Sequence, residues 1–178
     1  MVWFHDVRAV LITREKEYPK EVYKSVSELF PNITVCVNCP SISTRYDIAY
    51  NSPEEHIYIQ DDDCIAPMEE LYKNYTGDMI TCAMKKQHLE YYKDSQICLL
   101  GWGALFPRRI IKNMDKYIAM FGSIEPYKRE ADRIFSYLNY PQKRLELPIQ
   151  DIKRSCAMSN EQNHYESLRS IEQKLKQL

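Results

Sequence analysis

The sequence predicts an α/β fold in a single domain, with a mostly parallel central sheet and helices on both faces. Three observations carry that prediction. Apolar strand-like runs alternate with amphipathic helical patterns through the first half of the chain, the signature of strands joined by helical crossovers. The strand runs are nearly continuously apolar, as strands buried on both faces must be. The chain has 178 residues, with no repeat, low-complexity stretch or linker to divide it, and that length suits one domain.

The elements follow in order. Val7 to Thr13 (VRAVLIT) reads as a buried strand. Pro19 opens a helical pattern with Val22, Val26, Leu29 and Phe30 on one stripe, and Pro31 stops it. Ile33 to Val37 is a second strand, followed by a turn at Asn38-Cys39-Pro40. Ser43 or Thr44 caps a short helix carrying Arg45, Ile48 and Ala49. His56 to Gln60 is a third strand that runs straight into Asp61-Asp62-Asp63, and Pro67 begins a short helix. Asp78 to Ala83 is a fourth strand and Tyr91 to Asp94 a loop. Ile97 to Phe106 reads as one strand interrupted by Gly101-Trp102-Gly103. Pro107 opens a helix with Ile110, Ile111, Met114 and Ile118 on one stripe. Gly122 to Lys128 reads as a loop, Ala131 to Leu138 as a helix and Leu145 to Ile149 as a last strand. Ser159 to Leu178 reads as a polar C-terminal helix.

Composition narrows the function classes. Hydrophobic residues make up 44% and charged residues 28%, which suits a packed globular chain. Lys plus Arg is 24 against 25 Asp plus Glu, a net charge of −1, so a generally basic nucleic-acid binder is excluded. No apolar run is long enough to span a membrane, and Met1 to Asp6 has no basic start before an apolar run, so neither a span nor a signal peptide is read and a cytoplasmic location is expected. Six cysteines then read as free thiols. Cys36 and Cys39 form a lone C-x-x-C pair without the second pair or histidines of a structural zinc site. The four glycines form neither a G-x-G-x-x-G fingerprint nor a Walker loop.

The three aspartates carry the functional reading. Adjacent carboxylates at the end of a buried strand repel and raise one another's pKa, and folding does not require them. A hard divalent cation such as Mg²⁺ or Mn²⁺ resolves the repulsion. If strand geometry persists, Asp61 and Asp63 point the same way. The plainer reading is an acidic turn at the start of the next helix. In α/β sheets ligands bind off the carboxyl ends of strands, which here release Thr13-Arg14-Glu15, Asn38 and the aspartates.

Arg45-Tyr46-Asp47-Ile48-Ala49 followed by His56-Ile-Tyr-Ile-Gln-Asp-Asp-Asp-Cys64 resembles the donor-binding half of GT-A type glycosyltransferases, a Rossmann-like fold. The pattern is similar to that of exostosin-like hexosaminyltransferases and related inverting enzymes, in which an Arg-bearing segment precedes a strand ending in a DDD form of the D-x-D motif. Thr13-Arg14, Gly101 to Phe106, and Glu130-Ala-Asp132-Arg-Ile-Phe-Ser-Tyr-Leu138 resemble further segments of that family in the same order. The resemblance implies a nucleotide-sugar half at residues 1–84 and an acceptor and catalytic half at residues 85–178. It implies a UDP- or GDP-sugar donor held through Mn²⁺ or Mg²⁺, and a glycan or other hydroxyl acceptor. In that scheme Asp63 ligates the metal, and Asp61 binds the ribose or the metal through water. Arg14 and Arg45 take phosphate oxygens, Asn38 reads the base, and Thr13 and Asp62 complete the donor site. Asp132 is the catalytic base. The family has Glu directly before that Asp, but Ala131 intervenes here, so Glu130 is the alternative. Trp102 with Gly103 is a sugar platform or a core Trp beside a bulge, and His164 a third metal ligand or a surface residue. Two other readings stand beside this one. A nucleotidyltransferase also uses strand-end aspartates but usually has a glycine-rich loop, which Thr13 to Tyr18 lacks. A non-catalytic domain of the same fold would bind a partner.

Overall fold

The structure, a computed structural model, describes residues 2–115, 119, 124–152, 171 and 173–176. Its strands are β1 (Val7–Ile12), β2 (Asn32–Cys36), β3 (His56–Gln60), β4 (Cys64–Ile65), β5 (Thr81–Met84), β6 (Ala104–Pro107), β7 (Lys143–Glu146) and β8 (Gln150–Asp151). Six of them form one sheet in the order β2-β1-β3-β6-β5-β7, and β4 pairs with β8 in a second, two-stranded sheet. β1 runs parallel to β2 and β3, with Val10 opposite both Thr34 and Ile59. β6 is antiparallel to β3 and to β5, while β5 and β7 are parallel. With β6 reversed between them, β3 and β5 point the same way. The carboxyl ends of β1, β2, β3, β5 and β7 therefore open on one edge of the sheet. The fold is thus α/β with a mostly parallel central sheet, and strands from both halves of the chain interleave in it.

Side-chain alternation along the strands builds two cores. Val10, Ile12, Ile57, Ile59, Cys82, Met84, Ala104 and Phe106 face one side. There they meet Tyr46 and Ala49 of α2 (Thr44–Tyr50), Ala131, Ile134 and Phe135 of α5 (Ile124–Leu138), and Ile171 and Leu175. Val7, Ala9, Leu11, Tyr58, Ala83 and Leu105 face the other. They meet Val26 of α1 (Lys20–Ser27), Phe30, and Met68 and Leu71 of α3 (Met68–Lys73). Each large apolar side chain enclosed this way contributes ~1.5–3 kcal/mol. Phe135 is the hinge of the first core: its ring lies 4.7 Å from both Tyr46 and Phe106, so one residue ties α5 to α2 and to β6. No helix among the described residues is long and apolar enough to cross a membrane.

Several elements differ from the sequence reading. A helix, α4 (Lys86–Tyr91), forms just before the expected Tyr91–Asp94 loop. Its residues KQHLEY bury no side chain fully, so they leave no apolar stripe to read. α5 begins at Ile124, inside the expected 122–128 loop, and is broken at Glu130 (φ −122°, ψ 24°). Residues 97–100 form no strand, and the helix after Pro107 opens as a 3-10 turn, Arg108–Lys112, before α-helical residues 113–115. The last main-sheet strand is β7 at 143–146 instead of 145–149, and the β4–β8 pair is too short to leave a period. Most of the expected C-terminal helix, with His164, lies outside the described residues.

Candidate functional site

The carboxyl edge of the sheet gathers most of the residues singled out above. β3 ends at Gln60, and the aspartates form a turn before β4. Strand alternation therefore does not orient Asp61 and Asp63, contrary to expectation. Backbone bonds place them instead: Asp61 N–H donates to Gly101 O at 2.7 Å, and Asp63 O accepts from Ile152 N–H at 2.7 Å. A methyl group at Gly101 would overlap the Asp61 carboxylate, so a side chain there would displace Asp61 from its present position. Gly103 has φ +106°, open to glycine, and a methyl there would stand 2.7 Å from the Ala66 Cβ.

Arg45 joins two distant carboxylates. Its Nη2 donates to Asp61 Oδ1 at 2.5 Å and its Nη1 to Asp132 Oδ2 at 3.2 Å. The Tyr46 hydroxyl donates to Asp132 Oδ1 at 2.8 Å. α2 supplies Arg45 and Tyr46, the end of β3 supplies Asp61, and α5 supplies Asp132. Arg45 is 1% exposed. Burial opposes its charge, but Asp132 and Asp61 outweigh it and keep the guanidinium protonated. Both terminal nitrogens are thus taken by carboxylates, so Arg45 acts as an internal clamp in this structure and not as the open phosphate fork expected of it. Burial pushes the Asp132 carboxyl up, against the pull of Arg45. Glu130 turns away to Arg133, at 2.5 Å.

The Thr13 hydroxyl donates to Asp62 Oδ2. Burial pushes the Asp63 carboxyl up, helped by the charges of Asp61 and Asp62. Thr13 also ties two loops together: its N–H donates to Cys36 O and its carbonyl accepts from Cys39 N–H, at 2.9 and 2.8 Å. Asn38 N–H donates to Glu15 O at 2.9 Å, with Asn38 in the left-handed region at φ 51°. Arg14 and Asn38 are both exposed on this edge. Cys36 and Cys39 are unbridged thiols. Burial, helped by Cys39, raises Cys36 to about 11, so it stays protonated near neutrality. Among the described residues no three His, Cys, Asp or Glu side chains form a group that could hold a metal ion by themselves.

Trp102 is half-buried. The His88 ring meets it edge-on at 4.5 Å, and Lys85 Nζ lies 5.1 Å from its centroid. Lys85 in turn donates to both oxygens of Asp151, at 2.6 and 2.7 Å. Sequence reasoning missed two residues of this edge. Lys85 leaves the carboxyl end of β5, a position visible only once the direction of β5 is known. Tyr18, just before Pro19, has a buried hydroxyl without a hydrogen-bond partner among the described residues. Burial raises its pKa, and so do Asp61 and Asp62, so the phenol stands close to the aspartates.

No protein-family model matches the chain, and no curated protein matches it. Among solved structures the fold is similar to one titled "Crystal Structure of A197 from STIV", with a TM-score of 0.51 and 10% sequence identity, over 85% of this chain and 96% of that one.

Proposed function

We propose that the protein is a metal-dependent glycosyltransferase of the GT-A type, moving a sugar from a nucleotide-sugar to a hydroxyl acceptor with inversion. The observation that carries this reading is the Arg45 clamp. It gathers Asp61 of the D-x-D segment and Asp132 of the expected base segment onto one guanidinium, at the edge where α/β sheets bind ligands. A structural acidic turn would need no second carboxylate brought to it from α5.

The donor set suits a hard cation held by one or two carboxylates and completed by phosphate oxygens. Asp63 and the second oxygen of Asp61 would hold it, and it would neutralise the departing diphosphate. The protein's own residues do the rest. Thr13 fixes Asp62 and ties the loops after β1 and β2, which carry Arg14 and Asn38 toward the donor. Asp132 accepts the proton of the acceptor hydroxyl as that oxygen attacks the anomeric carbon. Its burial strengthens it as a base; the Tyr46 hydroxyl holds Oδ1, and Oδ2, which Arg45 Nη1 engages at 3.2 Å, is the oxygen that would take the proton. Glu130, which pairs with Arg133, is the second candidate.

Thermal unfolding with UDP-, GDP- and related nucleotide-sugars, with and without Mn²⁺, tests the reading. A ligand at 100 times its Kd adds ~2.7 kcal/mol of stability, and that shift should need Mn²⁺ and vanish in Asp63→Ala. A nucleoside triphosphate stabilising better than any nucleotide-sugar would favour nucleotidyl transfer. No shift with any nucleotide would favour a partner-binding domain.

A further inference from the structure

Five strands end on the edge that carries the aspartates, and β5 delivers a cation there. Lys85 follows Met84, the last residue of β5, with its side chain 24% exposed. The β4–β8 ladder sets Asp151 opposite Cys64, directly after Asp63, and Ile152 N–H binds Asp63 O. The Asp151 carboxylate that Lys85 grips is therefore strapped beside the three aspartates, and the ammonium lies with it.

We propose that Lys85 is a phosphate-binding residue of the donor site, held in position by Asp151 until a diphosphate takes its place. This inference rests on the glycosyltransferase reading and names a residue that the resemblance did not supply. The clamp cation cannot serve: Arg45 is 1% exposed with both Nη atoms on carboxylates. Arg133 is 5% exposed and faces Glu130. Lys85 reaches solvent, and so does its counter-ion, Asp151, whose side chain is 68% exposed. Such open pairs exchange partners at little cost, and a phosphate oxygen offers the ammonium the same kind of acceptor that the carboxylate does. The stem of Lys85 is already placed, with its nitrogen over the Trp102 ring, so little side-chain freedom remains to be lost on binding. β6 separates β5 from β3 in the sheet. Lys85 and Arg14, which follows β1, thus approach the aspartates from opposite sides.

The experiment measures binding of UDP and GDP with Mn²⁺, and of uridine and guanosine as phosphate-free probes, to the full chain. Lys85→Met keeps the apolar stem and should weaken diphosphate binding at least tenfold while leaving the nucleoside unchanged; Lys85→Arg should restore most of the loss. Asp151→Asn, which frees the ammonium, should bind the diphosphate as tightly as the unsubstituted protein or more so. Diphosphate binding unchanged in Lys85→Met, equal loss of diphosphate and nucleoside, or weaker diphosphate binding in Asp151→Asn each overturn the inference alone. An unsubstituted protein that binds neither diphosphate overturns the glycosyltransferase reading and this inference with it.

Discussion

The two ends of the central sheet handle charge in opposite ways. At the amino end, Arg8 closes on both oxygens of Glu54 at 3.0 and 2.5 Å, and Arg108 Nε donates to Glu54 O at 3.0 Å. His56 Nδ1 meets the Tyr75 hydroxyl at 2.8 Å. Arg8 and Glu54 pair as cation and anion there, and Arg108 takes a backbone carbonyl, so each of these groups has a partner, which is what folding asks of groups leaving water. At the carboxyl end Asp61 and Asp132 share Arg45, Asp62 has the Thr13 hydroxyl, and Asp63 lies among like charges. Negative charge concentrated at one end, with the other end balanced, is a burden that folding alone does not explain. The site for a cation and a phosphorylated ligand proposed above would account for it.

The largest effect should come from cutting the clamp. Arg45→Met leaves the largely buried Asp132 and the part-exposed Asp61 without their shared cation. Removing one partner of a buried ion pair typically costs ~3–5 kcal/mol. At the amino end, Arg8→Met breaks a pair whose side chains are 21% and 9% exposed, and a charged hydrogen bond there is worth ~1.5–3 kcal/mol. Urea denaturation of both variants measures the contrast. Adding Asp132→Asn to Arg45→Met should recover part of the loss, because one uncompensated charge disappears. Equal costs at the two ends would break the comparison.

A pair of identical substitutions sharpens it further. Gly101→Ala pushes a methyl group into the Asp61 carboxylate. Overpacking of this kind costs ~1–3 kcal/mol, and here it should also abolish Mn²⁺-dependent nucleotide binding by displacing Asp61. Gly77→Ala at the amino end faces φ +87° and contacts of 3.1 Å to Val2 Cγ2 and 3.4 Å to His56 Cε1. Its strain costs ~1–2 kcal/mol, and nucleotide binding should not change. Thermal unfolding with and without ligand reads both quantities in one experiment. Binding lost equally in the two variants would mean that general loosening, and not the fit of Gly101 against Asp61, controls the site.

What could be read from the chain divides along the same line. Periodicity and proline punctuation locate β3 at 56–60 and α3 after Pro67, because those signals are local and strong. They miss α4, whose polar KQHLEY segment has no buried side chain, and the reversal of β6, because antiparallel pairing depends on partners far away in sequence. At the site, residue chemistry picked out Asp61 and the resemblance added Arg45 and Asp132, and the structure brings the three together. The sequence reading misjudged the environment of Arg45, since nothing local to that residue says that a cation will be sealed between two carboxylates. Lys85 went unnoticed for a topological reason: it matters only because β5 points toward the aspartates.

The smallest effect should come from acid at the amino end. Burial of His56 disfavours its charged form, and Arg109 adds to that against the opposing pull of Glu55 and Asp6. Its pKa in the folded chain therefore lies below the ordinary value of ~6.5. Between those two values the unfolded chain binds more protons, so stability must fall as the pH drops through that window and is fully present above it. His88, at the carboxyl end, is lowered in the same direction by burial and by Lys85, so each ring has to be removed separately. His56→Gln should flatten part of the decline in melting temperature between neutral pH and mild acid. It should leave nucleotide binding untouched, because Tyr75, its hydrogen-bond partner, belongs to the balanced end of the sheet. A stability–pH curve for His56→Gln that runs parallel to that of the unsubstituted protein would show that this ring is not among the groups whose protonation unfolds the chain.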